Sequence, residues 1–146
     1  MTMKRFCQVA LVIYTFFILY MAVLSRSVAK QAYIKTDLLQ CYLQPGGISY
    51  RDVLVNIVGF IPVGVLVGML SRRHRVMIAL LVGVLLSLAI EGSQLVWKKG
   101  VFDVDDIFNN AVGAVIGGWI AWFMVKSSRL RVRVLACCKR HSRAKD

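Results

Sequence analysis

Long apolar runs alternate with short polar interruptions along this chain. Residues 6–24, 53–70, 76–97 and 107–125 contain no Lys or Arg, and Glu91 is the only acid within them. A helix that crosses a bilayer needs about 20 predominantly apolar residues, so each run predicts a membrane-spanning helix. The expected fold class is an all-α membrane protein with four transmembrane helices, one membrane domain over residues 1–146. The first run follows Lys4 and Arg5 as a signal peptide would. It is longer than the about 7–15 apolar residues of a cleaved segment, and no A-x-A site follows, so it reads as a retained anchor.

The connections set the neighbours. Residues 71–75 are too few for anything but an antiparallel hairpin, and residues 98–106 join the third and fourth spans almost as tightly. The 25–51 loop is longer and carries a Pro45-Gly46-Gly47 turn. Its 29–43 stretch reads either as a short interfacial helix on the outer leaflet or as an ordered loop.

Charge fixes the expected orientation. The chain holds 19 Lys+Arg against 7 Asp+Glu, a net charge of +12, and is 58% hydrophobic. In a soluble protein that balance would point to nucleic acid. Here the cations lie between and after the spans, so the membrane accounts for them and no nucleic-acid partner is expected. Lys4, Arg5, Arg72, Arg73, Arg75 and the basic residues of 126–146 gather on one side, with fewer on the other. The positive-inside rule then predicts that both termini are cytoplasmic. The 126–146 tail is a basic cytoplasmic segment, either ordinary topology signal or a site for anionic headgroups at roughly 1 kcal/mol per charge. The four cysteines form no metal or disulfide spacing.

The acids are gathered too. Four of the 7 carboxylates fall within residues 89–110, as Glu91, Asp103, Asp105 and Asp106. At a rise of about 1.5 Å per residue, Glu91 lies roughly 9 Å below the interfacial Trp97. Asn56, Gln94, Asp106 and Asn110 fall in the same layer, the outer third of the bilayer. They also share faces, because positions three and four apart stack on a helix. One stripe is Gly83, Ser87, Glu91 and Gln94; a second is Asp106, Asn110, Gly113 and Gly117; a third is Asp52, Asn56, Phe60, Gly64 and Gly68. The glycine pairs predict close helix approach, and Pro62 predicts a bend and a released carbonyl. The picture is a tight inner half that opens into a polar cleft on the outer face.

For most of these residues a structural role competes with a functional one. Asn56 and Asn110 read as interhelical hydrogen bonds or as ligand contacts. Asp103 and Asp105 read as solvated loop acids balancing Lys98 and Lys99, or, for Asp103 with Asp106, as oxygen ligands for a divalent cation. Glu91 is the leading candidate for chemistry, since intramembrane acids cost about 2.5–3.5 kcal/mol to insert.

The blocks Asn56–Gly68, Glu91–Gln94 and Phe102–Gly118 resemble the VanZ-like family of small integral membrane proteins. The resemblance rests on Asn56, Phe60, Pro62, Gly64, Glu91, Gln94, Asp103, Asp106, Asn110, Gly113 and Gly117, within a core of about residues 51–122. Where the family pattern places an arginine shortly before the position of Asp103, this chain has Lys98-Lys99-Gly100. The resemblance implies a multi-pass protein of the bacterial plasma membrane with a role in the cell envelope. It also implies a link to resistance to the glycopeptide teicoplanin, from which the family takes its name.

Three functional classes remain open at this point. The first is a binder of a cell-envelope or lipid-linked ligand through Asn56, Glu91, Gln94, Asp103, Asp106 and Asn110. The second is a membrane-embedded enzyme acting on a lipid headgroup, with Glu91 as base or a cation assisting. The third is a small transporter or a homo-oligomeric conduit.

Overall fold

The computed structural model describes residues 2–24, 34–35, 50–100 and 102–143. Helix α1 (Met3–Leu19) continues into a π-helical turn (Tyr20–Leu24), and strand β1 (Ile34–Lys35) follows. Helices α2 (Tyr50–Leu70) and α3 (Arg75–Val96), strand β2 (Phe102–Asp103) and helix α4 (Val104–Arg143) complete the chain. Four helices are long and apolar enough to cross a membrane, through Met3–Val23, Tyr50–Leu70, Arg75–Val96 and Val104–Ser128. The chain is a multi-pass membrane protein. Its large apolar residues point outward as lipid contact requires, with Phe16, Leu54, Val58, Leu81, Leu85 and Phe123 all exposed.

The helices run alternately up and down. Arg75 reaches back to the Gly68 and Met69 carbonyls at the end of α2, and the Ser71 hydroxyl donates to Val67 O at 2.8 Å, so the tight α2–α3 turn satisfies orphan carbonyls. His74 takes the left-handed conformation there, at φ 50°. Helix α4 is the centre of the bundle. A Cβ on Gly113 would fall well inside van der Waals contact distance of the Ile57 carbonyl oxygen; one on Gly117 would do the same at Ile61 and one on Gly64 at Ala114. On the other flank, a Cβ on Gly83 of α3 would sit 2.5 Å from that of Ala114. Ala114 is thus wedged between two glycines of two different helices. Membrane helices lack a hydrophobic drive toward one another, so this packing is what holds them.

Helix α1 lies outside this seam. Leu11, Tyr14 and Ile18 pack on the buried Val63, Val67 and Ala79 of α2 and α3. The Tyr14 hydroxyl donates to Gly59 O at 3.0 Å. Pro62 supplies no amide to the carbonyl four residues before it, yet α2 runs through Pro62 unbroken.

Two differences from the sequence reading stand out. Helix α4 continues through 40 residues, about 60 Å at its rise per residue and twice the hydrocarbon thickness. Trp119, Trp122 and Phe123 cluster near the end of its apolar part, with Lys126 Nζ 4.6 Å from the Trp122 ring. Such aromatics mark the interface, so the helix runs on past it into the basic residues from Lys126 onward. Ile34 and Lys35, inside the stretch read as helix or loop, instead form a parallel pair with Phe102 and Asp103. The rest of residues 29–43 lies outside the described residues.

The seam predicts an ordering of glycine variants. Gly117→Ala should destabilise the bundle by about 1–3 kcal/mol through overpacking. Gly92→Ala, whose Cβ would meet nothing within 4 Å, should be neutral or gain about 0.5–1 kcal/mol. Thermal unfolding in a mild detergent checks this, and equal melting of the two variants would contradict the seam.

Candidate functional site

One end of the bundle gathers the polar residues. There α1 and α3 finish and α2 and α4 begin. On α3, Ser87, Glu91 and Gln94 are all buried, the last two at 2% exposed. They share a stripe because their spacing is four and then three residues. The α4 stripe supplies Asp106 and Asn110, and the α2 stripe supplies Asn56. Each lies toward the cavity end of a row of small residues, so the contacts that seat the helices also aim the polar side chains. Asp52, at the start of the α2 stripe, is exposed and takes no part.

Hydrogen bonds tie the helices together here. Asn56 Nδ2 donates to Asp106 Oδ1 at 2.6 Å, joining α2 to α4. Asn110 Nδ2 donates to Ser87 Oγ at 2.8 Å, joining α4 to α3. Gln94 Nε2 donates to Ala22 O at 3.1 Å, joining α3 to the π-helical turn after α1. Glu91 Oε2 accepts the Asp103 amide at 3.0 Å. A hydrogen bond to a charged group contributes about 1.5–3 kcal/mol, comparable with the insertion cost of the carboxylate. Glu91 is therefore affordable as a structural residue, and its burial alone does not mark it as catalytic.

The α3–α4 turn explains why that amide is in reach. Lys98 N donates to Leu95 O and Lys99 N to Gln94 O, the two bonds that close a helix through a left-handed residue. Glycine usually fills that position; here Lys98 does, at φ 51°. Asp103 then caps α4, its Oδ1 accepting the Asp105 amide at 3.0 Å.

These contacts correct the reading of the loop acids. Asp103 is half-buried and acts as a helix cap. Asp105 is 3% exposed, and Asn109 is equally buried. The physical reason is that α4 begins at Val104 and not at 107, so Asp105 stands in the first turn of a packed helix, where the helix dipole favours acids. An Asp followed by acids just before an apolar run is a cap signal that the sequence carries. Among the described residues, no group of three or more His, Cys, Asp or Glu converges.

A cavity of about 310 Å³ opens beside this network. Its floor is Asn56, Glu91, Gln94, Asp106 and Asn110, so five of the six expected ligand residues line it and Asp103 does not. Its walls are apolar and come from α1 and the turn after it (Tyr14, Phe17, Ile18, Met21, Ala22), from α2 (Val55, Gly59, Phe60) and from Ile90. The α1 wall was not expected, because the residues of α1 that face the cavity are apolar or aromatic and form no polar stripe. Asn110 Oδ1 is buried without a hydrogen-bond partner, which costs about 1–3 kcal/mol if left unmet.

The family model described as VanZ/LLP1 matches residues 7–125, a stretch that contains every residue of the cavity. No curated protein and no solved structure matches the chain.

Glu91 variants separate the structural bond from the charge. Glu91→Gln keeps an acceptor for the Asp103 amide and should melt within about 1 kcal/mol of wild type, whereas Glu91→Ala strands that amide and should lose about 1–3 kcal/mol. Thermal unfolding at matched detergent would check the ranking; equal loss in both would mean that the charge, not the hydrogen bond, supports the turn.

Proposed function

The chain belongs to the VanZ/LLP1 family, and we propose that it binds an amphiphilic envelope ligand, a lipid or lipid-linked molecule, in the cavity between α1, α2, α3 and α4. The reading rests on one observation: a pocket with a polar floor and apolar walls, set within the membrane-spanning layer. Its volume is at the lower end of ligand sites, which run from about 300 Å³. It suits a headgroup and the first carbons of a chain. The polar groups are already held in place by hydrogen bonds to neighbouring helices, so binding would not have to order them.

The cavity opens on the outer half of the bilayer in this reading. Lys4, Arg5, Arg72, Arg73 and Lys126 lie toward the opposite end of the helices, and by the positive-inside rule that end is cytoplasmic. The function is then exerted on molecules of the outer leaflet, with Lys98 and Lys99 in the turn that ends α3.

Gly59 provides the test. It lines the cavity, and a Cβ there would meet nothing within 4 Å, so Gly59→Leu should fill the space without disturbing the fold. Native mass spectrometry of protein extracted from its own membrane should find wild type carrying a stoichiometric amphiphile and Gly59→Leu empty at equal thermal stability. Equal occupancy in both, or none in either, would overturn the proposal.

A further inference from the structure

Resting on that reading of the cavity, we infer that the tail of its ligand is a linear hydrocarbon chain of about leaflet length, seated in an apolar groove along α1. The groove holds a space of about 560 Å³ and is lined by Phe6, Val9, Ala10, Ile13, Tyr14 and Phe17. Two of these, Tyr14 and Phe17, line the cavity as well. Their ring centroids stand 6.0 Å apart, and they mark the joint at which one space passes into the other.

Spacing along the chain builds the groove. Positions 6, 9, 10, 13, 14 and 17 recur every three or four residues and so share one face of the helix. Ala10 is the smallest side chain of the six and sits between larger ones on either side, which hollows that face. The one polar side-chain atom of the lining, the Tyr14 hydroxyl, donates to Gly59 O of α2. Phe6, Val9, Ile13 and Phe17 are exposed, on the side of α1 that meets lipid. Such a lining offers dispersion contacts along its whole length, and a hydrocarbon chain is what uses them.

Length and depth identify the occupant. From Phe6 to Phe17 the helix rises about 16 Å. Half of the hydrocarbon core, the depth that one lipid tail fills, is about 15 Å. The groove is therefore one tail long, but it is displaced from where a bulk lipid tail lies. A lipid with its head at the interface ends its tail near the midplane. With its head drawn to the level of Glu91, roughly 9 Å below the outer interface, the same lipid carries its tail past the midplane. The tail then ends at Phe6, beside Lys4 and Arg5 and close to the opposite interface. That displacement separates a bound ligand from lipid that only touches the protein.

The experiment uses full-length protein in nanodiscs of phosphatidylcholine with two photoreactive monomyristoylglycerols, one carrying a diazirine next to the head and one at the chain end. Glycerol hydroxyls both donate and accept, so the probe suits a polar floor of either kind. Mass spectrometry locates the adducts, and unlabelled monomyristoylglycerol is the competitor. The head-proximal probe should mark Phe17 and Met21, the chain-end probe should mark Phe6 and Val9, and the competitor should suppress both sets. Ala10→Phe, which fills the groove, should lose the Phe6 adduct and keep the one at Phe17. Val9→Trp, at a position already exposed to lipid, should do the same, and Val12→Trp, equally exposed but outside the groove, should change nothing. Chain-end adducts spread over lipid-facing positions of every helix, such as Leu54, Leu81 and Leu85, would overturn the groove; competed adducts at Phe17 and Met21 would then leave the cavity standing. Gly59→Leu should abolish both sets, and Phe6 adducts that survive it would disconnect the groove from the cavity and overturn the inference. Absence of any competed adduct with either probe would overturn both readings.

Discussion

The backbone contact of α4 with α2 is the constraint on which the rest of the molecule depends. Gly113 and Gly117 face the carbonyls of Ile57 and Ile61, and Gly64 faces that of Ala114. No methyl group fits between the helices. Such proximity brings many small dispersion contacts and Cα–H groups against carbonyl oxygens. Because Ala114 also lies against Gly83, the same few residues set α3. A bundle of apolar helices in lipid has many near-equivalent packings, and this seam selects one.

The site follows from that register. Asn110 stands three residues before Gly113, and Asp106 four before Asn110, so fixing the glycines against α2 fixes both polar groups on the same face. Gly83 does the same for Ser87 and Glu91. Polar side chains in the membrane are then close enough to satisfy one another across helices, as Asn56 does with Asp106 and Asn110 with Ser87. Helix α1 contributes differently. It packs through aliphatic contacts and a tyrosine hydrogen bond to α2. It closes the cavity with apolar side chains that also meet lipid. A tight seam on one side and a lightly held wall on the other is an arrangement that suits a ligand arriving through the bilayer.

Much of this was legible in the sequence. The four spans, the three stripes and the glycine pairs are all period-3.6 patterns, and such patterns survive folding because neighbouring turns dictate which residues share a face. Five of the six residues expected to meet a ligand line the cavity for that reason. What the pattern missed depends on distance along the chain or on backbone detail. Asp105 is buried because α4 starts one turn earlier than its apolar run. Tyr14, Phe17 and Met21 join the cavity through tertiary packing, which no polar stripe on their own segment announces. The pairing of Ile34–Lys35 with Phe102–Asp103 joins segments far apart in sequence, and no local signal announces it. Lys98 in the left-handed position runs against the preference for glycine, so the turn could be placed but not its geometry.

The central claim is that the cavity selects its occupant rather than sampling bulk lipid. A photo-crosslinking amino acid placed at Val55, beside the cavity, and at Leu85, on the open lipid face of α3, would test it in living membranes. The account predicts one dominant amphiphile adduct from position 55 and the general lipid mixture from position 85. The same lipid mixture from both positions would contradict it.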